Sequence, residues 1–96
     1  MVVGMMQLEL RIEWSQSLKD KRRVVSSLKD RLHRHHQVSV AEVGSQDNLR
    51  IAILGIALVT NDVRYGQSVF DHILNQLRSA RDCLLTDHSI QFLTGQ

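Results

Sequence analysis

The 96-residue chain contains no proline and a single cysteine, Cys83. Without proline there is no Pro-rich linker and no polyproline ligand segment. One cysteine excludes an internal disulfide and a multi-cysteine zinc site, and it suits a reducing, cytoplasmic compartment. No apolar run approaches the ~20 residues needed to cross a bilayer. Met1–Met6 lacks the basic start and long apolar stretch of a signal peptide. What is present is enough for one packed domain over residues 1–96: 43% of residues are hydrophobic and 23% charged.

Val2–Glu13 alternates, with Met6, Leu8, Leu10 and Ile12 on one side and Gln7, Glu9, Arg11 and Glu13 on the other. That period of two predicts a half-buried strand. Ser17 stands where an N-cap belongs, and Leu18–His36 reads as a helix with Leu18, Val25, Leu28 and Leu32 along one stripe. Asp30 and Arg34 are spaced for an i,i+4 ion pair. Val38–Val43 is a short β-branched run, and Gly44–Asn48 a turn cluster leading into a long second arm, Leu49–Thr60. Asn61-Asp62 caps a second helix over Asp62–Arg81, and Cys83–Leu93 closes the chain as a strand. The apolar residues of this last strand fall on both alternate sets (Leu84, Ile90 and Phe92 against Leu85 and Leu93), which leaves its buried face open. The order β-α-β-β-α-β, with two right-handed crossovers joined by a hairpin, predicts a ferredoxin-like α+β sandwich. Its four-stranded antiparallel sheet carries two helices on one face.

In such a fold the helices protect one side of the sheet only. The arm Leu49–Thr60 is apolar on both sides: Ala52, Leu54, Ile56 and Leu58 form one set, Ile51, Ile53, Ala57 and Val59 the other. One set must therefore remain outside, and its simplest cover is a second copy in a two-fold dimer. Ile51, Ile53, Ala57 and Val59 are the candidate oligomer interface.

The charge is as uneven as the hydrophobicity. Ser17–His36 holds seven basic and two acidic residues, a balance of +5, whereas the remainder holds five basic and eight acidic, a balance of −3. A concentrated basic stripe attracts phosphate backbones through Coulomb forces and counterion release. At about 100° per residue, Arg23 and Arg34 project outward with Lys19 close by, while Arg22 and Lys29 flank the apolar arc. Lys21 lands near the middle of that arc. Its stem is expected to lie over the sheet edge while its ammonium reaches water or a partner.

Several chemistries of this architecture lack their residues. An RNA-recognition motif needs aromatic residues on its central strands, and neither Val2–Ile12 nor Leu49–Thr60 has one. None of Gly4, Gly44, Gly55, Gly66 or Gly95 forms the GxxG loop of a KH domain, and one cysteine cannot supply a metal chaperone's CxxC. The loop Glu13-Trp14-Ser15-Gln16 has no glycine with which to cradle a phosphate, as acylphosphatase-like chemistry requires. His33, His35 and His36 cluster, but His35 points away from the other two, so no metal site is expected. Cys83, beside Arg81 and Asp82, has no mechanism to activate it as a nucleophile. The expectation is a non-enzymatic protein with no cofactor and no evident small-molecule substrate.

The run Ser17-Leu18-Lys19-Asp20-Lys21-Arg22-Arg23-Val24-Val25, followed by Leu28-Lys29, resembles the helix start of the YlxP-like bacterial family (domain of unknown function 503). Val38–Val43, Gln46-Asp47 and Asn61-Asp62 match the same family, so the resemblance spans nearly the whole chain. It implies a ferredoxin-like fold and no established enzyme activity. Its genes often lie beside those of translation initiation and ribosome-maturation factors, which implies association with RNA or the ribosome. By motif, Lys19, Lys21 and Arg22 are the implied functional positions. The chain departs from the family pattern at Leu49, where relatives tend to have tryptophan, and at Ile51 and Ile53, where they tend to be charged.

These readings converge on the expectation of a cytoplasmic, dimeric domain whose first helix binds structured RNA or the ribosome. Lys19, Lys21, Arg22, Arg23, Lys29 and Arg34 are the candidate phosphate contacts. A protein-interaction module, with an acidic partner on the basic helix and a second copy on the sheet, stays open as the alternative. A membrane-surface helix fits less well, because the apolar stripe is needed against the sheet.

Overall fold

The alternation that opens the chain forms β1 (Val2–Arg11), and the computed structural model of the protein describes residues 1–95. Five further elements follow: α1 (Leu18–His35), β2 (Ser39–Gly44), β3 (Ile51–Thr60), α2 (Val63–Arg78) and β4 (Leu84–Thr94). The strands form one antiparallel sheet in the order β2-β3-β1-β4, which is the ferredoxin-like arrangement expected from the element order. β1 and β3 lie at its centre, paired along ten residues from Val2↔Thr60 to Arg11↔Ile51.

Both helices start at side-chain caps. Ser17 Oγ accepts the Asp20 N–H at 3.0 Å, and Asp20 Oδ2 reaches back to accept the Gln16 N–H at 3.0 Å. This reciprocal pairing satisfies one donor that the first helical turn leaves over and one just ahead of the cap. Asp62 caps α2 in the same way, accepting the Arg64 N–H at 2.9 Å. α2 ends at Arg78, three residues before the expected boundary, where Ser79 Oγ donates to the Asn75 carbonyl.

The core lies between the helices and one face of the sheet. Met6, Leu8 and Leu10 from β1 and Leu54 and Ile56 from β3 meet Leu28 and Leu32 of α1 and Phe70, Ile73 and Leu77 of α2. Phe92 of β4 stacks at 5.6 Å on Phe70. Its ring edge sits 2.8 Å from where a Cβ would stand on Gly4 of β1, and equally on Gly66 of α2. The two glycines thus form the slot that admits the ring and lets α2 approach the sheet.

The face of β4 is settled by an irregularity. Glu9 pairs with Asp87 but Leu10 pairs with Leu85, so Thr86 is the extra residue of a bulge. Leu85 therefore shares the inner face with Ile90 and Phe92 despite its odd position, while Leu84 and Leu93 lie outside. On β3 the inner set is Ala52, Leu54, Ile56 and Leu58, all buried. Ile51, Ile53, Ala57 and Val59 face away from the helices, and no described element covers them.

Candidate nucleic-acid interface

α1 presents its basic residues because its five buried positions, Lys21, Val24, Val25, Leu28 and Leu32, commit one face to the sheet. Lys19, Arg22, Arg23 and Arg34 are exposed on the opposite side and Lys29 is half-buried at its flank. Lys19, Arg22, Arg23 and Arg34 line one open groove together with Ser26, Ser27 and Asp30. From Lys19 to Arg34 the stripe runs about 22 Å at 1.5 Å rise per residue.

Lys21 does not belong to this surface. Its side chain is fully buried, and Nζ donates to the carbonyls of Ser45 at 2.6 Å and Asn48 at 2.8 Å. The Glu42 carboxylate lies 2.8 Å from the same ammonium, an ion pair rather than an aligned hydrogen bond. The expectation that this ammonium reaches water or a partner is thus corrected. Burying a cation among apolar neighbours demands internal partners, and the β2–β3 loop supplies them. Ser45, the one described non-glycine residue with positive φ (54°), turns its carbonyl within that cradle. Arg50 adds a second fastening, donating from Nε to the Ser15 carbonyl at 3.0 Å. Together the two cations tie the hairpin loop to the start of α1.

Glu42, Ser45, Asn48 and Arg50 are the residues that reading the sequence missed. One signal was available: Glu42 follows Val38 and Val40 on the inward alternate positions of β2, so a lone carboxylate faces the apolar arc that holds a lone lysine.

The remaining cations sort clearly. Arg31 pairs with Asp82 at 3.5 Å, both partly exposed. Among the described residues these are the two ion pairs, so Asp30 and Arg34 share the groove without closing the pair that their spacing suggested. Lys19, Arg22, Arg23, Lys29 and Arg34 have no carboxylate of the described residues within 4 Å.

The other candidate chemistries do not assemble. His35 Nδ1 contacts the Arg31 carbonyl, His36 Nε2 contacts Gln76, and His33 is exposed, so the three imidazoles do not converge. No three His, Cys, Asp or Glu side chains among the described residues are grouped to hold a metal ion. Burial, aided by the Asp82 carboxylate and opposed by Arg31, pushes the Cys83 thiol up to about 11 from 9.0, which disfavours the thiolate a nucleophile needs. No helix is long and apolar enough to cross a membrane.

Fold and surface together define a ferredoxin-like α+β domain that carries a basic stripe on its first helix, unpaired among the described residues. The chain belongs to the family described as "Protein of unknown function (DUF503)", whose model matches residues 3–90. This is the family whose helix-start motif Ser17–Val25 resembles. No curated protein matches the chain. Among solved structures it is similar to the de novo designed protein Foldit4, with a TM-score of 0.55 and 14% identity over 99% of this chain and 98% of that one. It is equally similar to the de novo designed protein LFR1 1 with ferredoxin fold, with a TM-score of 0.55 and 14% identity over 99% of this chain and 89% of the design. At that identity the likeness concerns the fold alone.

Proposed function

We propose that this protein is a non-enzymatic, cytoplasmic factor that binds structured RNA, on the ribosome or free, through phosphates along α1. The carrying observation is that Lys19, Arg22, Arg23, Lys29 and Arg34 share one side of the helix and none has an acidic partner within 4 Å among the described residues. Counted with Asp20 and Asp30, that side keeps a balance of +3 after Lys21 and Arg31 have been neutralised internally. A helix face with several free cations binds by charge and position, not by reading base edges. The high pKa of the Cys83 thiol and the scattered histidines support the non-enzymatic part of the reading.

Fluorescence anisotropy with a labelled RNA hairpin and with ribosomal RNA fragments tests it. Binding is expected to weaken steeply with salt and to be abolished in Arg22→Glu/Arg23→Glu/Lys29→Glu with the domain still folded. Unchanged affinity in that triple variant removes the proposal. A complex that bulk ribosomal RNA cannot displace identifies an acidic protein partner in its place.

A further inference from the structure

The face of the sheet turned away from the helices carries half of the chain's exposed large hydrophobic residues: Met5, Val43, Val59, Leu84 and Leu93, of ten in all. Between them Ile51 and Ile53 are only partly exposed. At the middle of the face the side chains become small. Gly55 and Ala57 of β3 and Ala41 of β2 floor a depression rimmed by Met5 and Val43, with Val43 leaning to 3.0 Å from where a Gly55 Cβ would stand. We propose that a second copy of this chain covers this face, sheet against sheet, with the two-fold axis near Met5 and Ala57.

Three features select a second copy as the occupant. The first is area: four strands at about 4.8 Å spacing and ten residues at about 3.3 Å rise present roughly 600 Å². Two such faces bury about 1,200 Å², the lower bound of specific protein interfaces. The second is shape. A hollow of small residues beside a projecting Met5 is self-complementary, because under a two-fold operation each Met5 meets the partner's hollow. Methionine adapts readily to such a hollow. The third is charge. The charged groups on this face are Glu9, Arg11 and Asp87, and the Glu9 carboxylate is engaged by Thr86 Oγ1 at 2.7 Å. The face is close to neutral. Approach by the α1 side sets two balances of +3 against each other, whereas approach by the sheet keeps both helices on opposite outer surfaces, free for phosphates.

Light scattering coupled to size-exclusion chromatography, on the full chain between 5 and 200 µM, decides the matter. The expected mass is twice the 11.0 kDa of one chain. Ala57→Glu is expected to give the single-chain mass with an unchanged far-ultraviolet circular dichroism spectrum. Should that variant fail to fold, Val59→Glu serves instead, since Val59 is 69% exposed in one chain and its replacement leaves the core intact. A wild-type mass of one chain across the range overturns the proposal. So does a dimer that survives folded Ala57→Glu or Val59→Glu, which places the contact elsewhere. RNA binding by a single-chain protein leaves the α1 reading standing, so the two proposals fail separately.

Discussion

Lys21 Nζ and Glu42 Oε2 lie 2.8 Å apart inside the domain, in an ammonium site completed by the carbonyls of Ser45 and Asn48. The lysine comes from α1 and the carboxylate from β2, so the pair fastens the hairpin to the helix that carries the basic stripe. Removing one member of a buried pair strands the other charge, at a cost of about 3–5 kcal/mol. Lys21→Met is therefore expected to lower the Tm by at least about 12 °C, taking about 4 °C per kcal/mol for a domain of this size. Adding Glu42→Leu is expected to recover part of the loss, and thermal melts of the four proteins complete a double-mutant cycle. A loss no larger in Lys21→Met than in an exposed control such as Lys19→Met refutes the fastening role.

The free cations behave in the opposite way. Lys19→Ala, Arg23→Ala and Arg34→Ala are each expected to leave the melting temperature within experimental error, because exposed charges contribute little to folding. Each is expected to weaken RNA binding evenly across RNA sequences and to flatten the log–log salt dependence by about one unit per phosphate contact. Titrations of anisotropy at several salt concentrations measure both. Sequence-selective losses would instead show that these side chains read bases.

Cys83 contributes to the alkaline limb of stability. Its folded thiol holds its proton up to about 11, against 9.0 without the fold, because burial and Asp82 disfavour the thiolate. The unfolded chain releases that proton first, so the contribution is full below pH 9 and is lost as the pH rises towards 11. Because the thiol is only about half-buried, solvent screening keeps the loss below the 1.36 kcal/mol per pH unit of a fully buried group, to about 1–2 kcal/mol. Comparing wild type with Cys83→Ser by urea denaturation from pH 8 to 11 isolates it from the lysines that titrate in the same range. Alkylation by iodoacetamide is expected to accelerate with a midpoint near pH 11. A midpoint near 9 contradicts the burial argument.

Gly66 separates helix propensity from packing. Alanine in place of a helical glycine normally stabilises, by about 0.8–1.0 kcal/mol in a helix interior and by less in the first turn, where Gly66 stands. Here its Cβ would stand 2.8 Å from the Phe92 ring, which Gly4 and Phe70 hold from the far side. Overpacking of that kind costs about 1–3 kcal/mol, so Gly66→Ala is expected to destabilise. With Phe92→Leu in the background, the same substitution is expected to stabilise. Denaturant midpoints of the four proteins show whether the sign reverses.

The parts of the architecture visible in the residues are those set by local rules. Ser17 and Asp62 announce their helices because side-chain oxygens satisfy the first free N–H groups, and the structure has both caps. The two alternate sets of β3 are legible for the same reason, period two being a property of the extended backbone. The face of β4 was not, because the bulge at Thr86 shifts Leu85 onto the side of Ile90 and Phe92, and a bulge is defined only by the partner strand. Asp30 and Arg34 were spaced for a pair that does not close, since spacing brings two side chains near without making solvated charges prefer each other.

The sequence by itself determined the order of elements, the apolar set left over on β3, and the excess of positive charge between Ser17 and His36. All three follow from residue identity and from the short periods of helix and strand. Only the tertiary structure decided which of those charges are free. Lys21 and Arg31 meet carboxylates contributed by β2 and by the segment after α2, and such meetings depend on how distant segments pack. The basic helix is legible in the chain. The surface it presents is a product of the fold.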